Sequence, residues 1–132
     1  MKTKILFFTV LTAAFISCLS FAQESSDLTV DEIQICTSVE DRTPVGADTS
    51  FSSDVETLYC FTKIKNSGER TTVAHSWYYN EKEVSRVDLN VGTPSWRTWS
   101  LKTIPPSYKG EWKVYVLASD GSILASKSFE IK

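Results

Sequence analysis

Histidine is nearly absent: the chain carries a single imidazole, His75. A general base needs a nucleophile or an orienting acid within hydrogen-bond reach. The neighbouring Ser76 would point to the opposite face of an extended strand, and no Gly-x-Ser-x-Gly elbow is present. Catalysis by His75 is therefore the lesser reading. The commoner ones are a half-buried imidazole beside Trp77 and Tyr79, or a pH-sensitive contact residue.

Cysteine is scarce as well. Of three cysteines, Cys18 falls in the N-terminal apolar segment, which leaves Cys36 and Cys60. One histidine and two cysteines cannot complete a four-ligand zinc site without carboxylates from distant loops. Asp41, Asp48 and Asp54 lack the tight spacing of a calcium loop. No metal and no cofactor is expected. A glycosidase needs two carboxylates facing each other across a cleft, and none of the acidic residues is marked as such a pair. No stripe of lysine and arginine interleaves with aromatics, which argues against nucleic acid as a partner.

Long apolar runs are missing too. The run at residues 5–16 is too short for a comfortable membrane span, and it follows Lys2 and Lys4 in the manner of an export signal. Two endings compete. Ser20-Phe21-Ala22 is a small-x-small site that would release residues 1–22 and leave Gln23 at the N-terminus. Ile16-Ser17-Cys18 reads instead as a lipoprotein site, which would place a lipid on Cys18 and the protein on a membrane. Phe15 stands where such sites usually have leucine, which favours cleavage after Ala22. The expected location is periplasmic or secreted, with a lipid-anchored envelope protein as the alternative. Removing Lys2 and Lys4 makes the net charge of −2 more acidic. Residues 23–29 read as a short tether, and residues 30–132 suffice for one domain with a single core.

An exported chain with an even cysteine pair invites a Cys36–Cys60 disulfide. Closing that loop would stabilise by about 3.5 kcal/mol on the chain-entropy account. The alternative is two buried thiols on early strands, and spacing alone decides neither.

Strand signals are abundant. Residues 30–39 place Ile33, Ile35 and Val39 on one alternating face and Cys36 on the other, although Asp31-Glu32 hints at a helical turn. Residues 40–54 are rich in Pro, Gly, Ser, Thr and Asp and read as a long loop. Further strands are expected at 57–64, 71–79, 84–91, 96–101, 112–117 and 123–131, with turn residues between them. Seven short strands without an amphipathic helix predict an all-β fold, an antiparallel immunoglobulin-like β-sandwich.

Several motifs carry a family likeness: Phe61-Thr62; Thr72-Val73-Ala74-His75-Ser76-Trp77; Val91-Gly92-x-Pro94-x-Trp96-Arg97-x-Trp99-Ser100-x-Lys102; and Gly110-x-Trp112-x-Val114-x-Val116. Together they resemble the bacterial domain-of-unknown-function family numbered twenty-nine fourteen, over residues 39–131. Cys60 and Ser76 depart from its pattern. The resemblance implies an exported or membrane-associated β domain and brings no established activity.

Aromatics are the remaining signal. Trp77, Tyr78, Tyr79, Trp96, Trp99, Tyr108, Trp112 and Tyr115 exceed the needs of a plain core, and alternation sends neighbours to opposite faces. Exposed rings beside an arginine suit a sugar or a peptide partner. Alternatively, they pack both sheet faces and shield edges. Trp96 is expected in the core, with Arg97 and Trp99 forming an outward stacked pair. The reading carried forward is a non-catalytic binding or assembly module of the bacterial cell envelope. Its contact residues would be Arg97, Trp99, His75 and Trp77, and its partner an envelope protein or glycan. A small envelope enzyme acting on glycan or peptidoglycan is the alternative, as is a purely structural accessory domain.

Overall fold

The alternating segments form ten strands: β1 (Leu28–Cys36), β2 (Ser38–Glu40), β3 (Thr43–Val45), β4 (Ser50–Phe51), β5 (Thr57–Asn66), β6 (Thr71–Tyr79), β7 (Lys82–Val91), β8 (Ser95–Thr103), β9 (Gly110–Ala118) and β10 (Ile123–Ile131). The computed structural model describes residues 27–132. The processing sites at Cys18 and Ala22 and residues 23–26 of the expected tether lie outside the described residues. The tether's last two residues are structured, because β1 starts at Leu28.

Seven of the strands are long and coincide with the seven expected ones. Of the other three, β3 and β4 lie in the segment read as a long loop, and β2 straddles its start, with Ser38 and Val39 inside the expected first strand. There Asp41 and Arg42 both take positive φ, 48° and 59°, the backbone of a two-residue hairpin turn between β2 and β3. Asn80 and Glu81 do the same between β6 and β7. The β6–β7 turn falls where a hairpin turn is expected, whereas the β2–β3 turn, without glycine, lies unmarked within the segment read as a loop.

The sheets run β1-β5-β8 and β4-β10-β9-β6-β7, antiparallel except for the short parallel β4–β10 pair. Counted by long strands, one sheet holds the first, second and fifth, and the other the fourth, third, sixth and seventh. That is an immunoglobulin-like sandwich in which the fourth strand lies beside the third, and the third carries the buried Trp77.

Register explains a feature that alternation alone obscures. Leu28 and Val30 pack on one apolar cluster, and Ile33 and Ile35 also face the interior. Even and odd positions can share a face only if one residue is extra. The β1–β5 ladder shifts between Val30 and Glu32, a bulge at Asp31 that reverses the parity. The apparent helical turn at Asp31-Glu32 is this bulge, and Asp31 meets Lys65 at 3.5 Å.

Between the sheets lie two apolar clusters. The larger contains Ile35, Leu58, Cys60, Trp77, Trp112 and Phe129. The smaller contains Leu28, Ile64, Val73, Val91 and Val116. In β5, Thr62 separates the two sets. In β6, His75 does so. Polar groups thus mark the boundary between the clusters.

The expected Cys36–Cys60 disulfide is not formed; both cysteines are free and buried. Cys60 stands opposite Ile35, whereas Cys36 stands opposite Tyr59. The two are one register step apart, so their side chains leave opposite faces of the sheet. Cys60 joins the core. Cys36 lies on the outer side by the β2–β3 hairpin, where Thr37 N–H donates to Val45 O at 3.1 Å, and Cys36 Sγ donates to Tyr59 O at 3.8 Å. Burial pushes both thiols above their ordinary pKa, which keeps them protonated and unreactive. Both cysteines should therefore resist alkylation in the native protein, yet both should react after denaturation without reductant. Peptide mapping by mass spectrometry checks this; a disulfide-linked Cys36–Cys60 peptide would contradict it.

Candidate functional site

Strand β8 presents the residues first singled out, and its faces follow the expected alternation. Trp96, opposite Ile64, turns toward the smaller cluster, and Trp99, opposite Phe61, turns outward. Trp96 is nevertheless only half-buried. Its ring lies against Gly92, where an added Cβ would come within 2.6 Å of Trp96 Cε3. The outward Arg97–Trp99 stack is replaced by two separate contacts. Trp99 stacks on Phe61 at 6.3 Å between centroids, 18° from parallel. Arg97 is exposed and donates from Nη1 to Arg42 O at 3.1 Å, tying β8 to the tip of the β2–β3 hairpin. Trp99 thus shields a buried phenylalanine on the outer face of the smaller sheet.

His75 and Trp77 are fully buried, so neither offers a contact surface, which corrects their expected role in binding. They belong to a hydrogen-bond chain across the sandwich. Trp77 Nε1–H donates to Ser100 Oγ at 3.1 Å. Ser100 Oγ lies 2.7 Å from His75 Nδ1, and Thr62 Oγ1 lies 3.2 Å from His75 Nε2. Thr62 O–H donates to Thr98 O at 2.9 Å. With its hydrogen committed to Thr98, Thr62 Oγ1 must accept from His75 Nε2–H. Nδ1 then accepts from Ser100, and every donor has one acceptor. The network therefore assigns a neutral, Nε2-protonated imidazole. It links β6 to β5 and β8 with no polar group left over.

The outer face of the five-stranded sheet brings together a different set. Tyr78 on β6 and Tyr115 on β9 meet edge to face, with centroids 5.1 Å apart and planes at 79°. The β6–β9 register puts Lys113 opposite Tyr78 and Ser76 opposite Tyr115, so the two tyrosines are diagonal neighbours. Lys113 Nζ sits 4.9 Å from the Tyr115 centroid, a cation–π contact. These three residues line a depression of about 650 Å³. Glu111 and Glu130, directly paired across β9 and β10, also line it, as do Asn80 and Glu81 of the β6–β7 turn. Ser76 is buried on the same face of β6, and its hydroxyl donates to Glu83.

Lys113 and Tyr115 fall on the face of the expected 112–117 strand opposite Trp112, Val114 and Val116, but no site is assigned to them by sequence, nor to Tyr78, Glu111 or Glu130. A signal was present: Glu111, Lys113 and Tyr115 alternate with the core residues Trp112, Val114 and Val116 and so share the outward face of β9.

Burial holds the His75 pKa down to about 4, against the ordinary 6.5. Above pH 6.5 the imidazole is neutral in both folded and unfolded chains. As pH falls from 6.5 toward 4, the unfolded chain takes up a proton that the folded one refuses, so stability is lost through that window, by on the order of 3 kcal/mol in full. Urea midpoints measured from pH 7.5 to 4.5 should fall more steeply for the wild type than for His75→Gln, although the variant should be weaker at pH 7.5. Parallel profiles would contradict the buried neutral imidazole.

Residues 70–131 match the family described as "Protein of unknown function (DUF2914)". The match is shorter than the resemblance over residues 39–131: it runs from the start of β6 to the end of β10 and leaves Phe61-Thr62 outside. No curated protein matches the chain. The stretch similar to that family of unknown function holds Tyr78, Lys113 and Tyr115 together with His75 and Ser100.

Proposed function

We propose that the protein is a non-catalytic binding module of the cell envelope, and that its outer Tyr78–Tyr115 surface takes a saccharide. The observation that carries this reading is the pair of perpendicular tyrosine rings beside Lys113 in a depression of about 650 Å³. A pyranose has apolar C–H faces and a rim of hydroxyls. One tyrosine ring can receive the C–H face while the other forms a side wall. Glu111, Glu130, Asn80 and Lys113 surround these rings with acceptors and donors for hydroxyls.

Burial of His75 with Ser100 supports a role without turnover, because neither group reaches a substrate in this fold. The export-like N-terminus supports an envelope location. Among the described residues no helix is long and apolar enough to cross a membrane. The alternative, an envelope enzyme acting on glycan, would show itself by product release.

Titration with soluble envelope oligosaccharides, followed by calorimetry, should give saturable binding and no new reducing ends. Tyr115→Ala and Tyr78→Ala should each weaken that binding by about tenfold, the loss expected for removing one aromatic contact. They should leave the fold intact, because both side chains lie outside the sandwich core. Absence of binding, or wild-type affinity in both variants, would overturn the proposal.

A further inference from the structure

Strand β7 ends the five-stranded sheet, and among the described residues it is hydrogen-bonded only to β6. Its other edge therefore presents unpaired backbone donors and acceptors. Of the usual protections it has charged side chains, Lys82, Glu83, Arg86 and Asp88, and little else. β7 contains neither proline nor glycine, and its ladder irregularity falls near Val84, before the regular stretch from Ser85 onward. By contrast, β1 carries the Asp31 bulge, and β4 is only two residues long.

We infer that β7 pairs antiparallel with β7 of a second copy of this chain, about a two-fold axis at Val87. The charge pattern selects this occupant and this register. With Val87 opposite Val87, Arg86 of each copy stands opposite Asp88 of the other, and Ser85 opposite Leu89. Two opposite-charge cross-strand pairs form, both on the outer face, since Arg86 and Asp88 lie opposite Ser76 and Ala74 of β6. Moving the axis onto Arg86 or Asp88 sets like charges face to face. Moving it onto Ser85 draws the Val84 irregularity into the new ladder. The other long edges lack this self-complementarity: β8 carries only the cations Arg97 and Lys102, β1 only the anions Asp31 and Glu32, and β10, covered by β4 only at Glu130 and Ile131, has its charges Lys127 and Glu130 on opposite faces. Within one chain, Arg86 and Asp88 are exposed and enter no ion pair among the described residues.

The pairing has a functional consequence. An antiparallel junction continues the sheet without turning it over, so the two Tyr78–Tyr115 surfaces would face the same side. A ligand with repeated units could then engage both, with a gain from effective concentration. Dimerisation through β7 does not depend on what that surface binds.

Sedimentation equilibrium of the processed chain should show a concentration-dependent monomer–dimer equilibrium. Arg86→Asp alone and Asp88→Arg alone should each weaken dimerisation at least tenfold, because each sets like charges opposite one another. The combined R86D/D88R exchange should restore it, since the two pairs re-form with reversed polarity. Circular dichroism should show all three variants folded, as both side chains are exposed. A monomer at every concentration would overturn the inference. So would a dimer indifferent to the single reversals, or a double exchange that fails to restore association.

Discussion

The sandwich depends on a line of hydrogen bonds through its middle, from Trp77 to Ser100, His75, Thr62 and the Thr98 carbonyl. A polar side chain buried without a partner costs on the order of 1–3 kcal/mol. Four such side chains lie at the boundary of the two apolar clusters, each contributed by a different position on β5, β6 or β8. Their needs are met in one register only. Sliding β6 against the facing sheet by two residues would keep its apolar face inward while stranding the imidazole. Apolar burial supplies the driving force for stacking the sheets, and the polar line selects how they stack.

That selection also determines the exterior. With His75 and Trp77 held inward, Ser76 and Tyr78 must leave β6 on the outside, where the β9 register brings Tyr115 to meet Tyr78. The two outer faces then differ. On the smaller sheet, Trp99 covers Phe61, and the β2–β3 hairpin is tied to Arg97. On the larger sheet, the tyrosine pair borders an open depression. The proposed binding surface is therefore an indirect product of the buried network, with one strand, β6, serving both.

Strand content was legible because alternation and turn residues are local signals. Most of the long strands carry their own period-two pattern, although the Asp31 bulge breaks it in β1; β9 displays it without interruption from Trp112 to Val116. Register was not legible. Nothing local states that Thr62, His75 and Ser100 meet, since they lie on three strands and come from separate parts of the chain. Nor could spacing show that Cys36 and Cys60 point to opposite faces. That depends on Ile35, rather than Cys36, standing opposite Cys60. The faces of β8 were read correctly, but the partner of Trp99 was not. Arg97 was the neighbour visible along the chain, whereas Phe61 becomes one only through strand pairing. The short strands β3 and β4 escaped because two or three residues cannot display a period, and most of β2 merged into the expected first strand, which ran on to Val39.

The protonation state of His75 tests the buried line most directly. Nitrogen-15 NMR of the imidazole, recorded on the folded protein between pH 5 and 8, reports both ring nitrogens. The account requires a neutral ring throughout, protonated at Nε2 and bare at Nδ1, with a hydrogen bond at each nitrogen. Protonation at Nδ1 instead, or a ring that takes up a second proton near pH 6.5 while the protein stays folded, would contradict it.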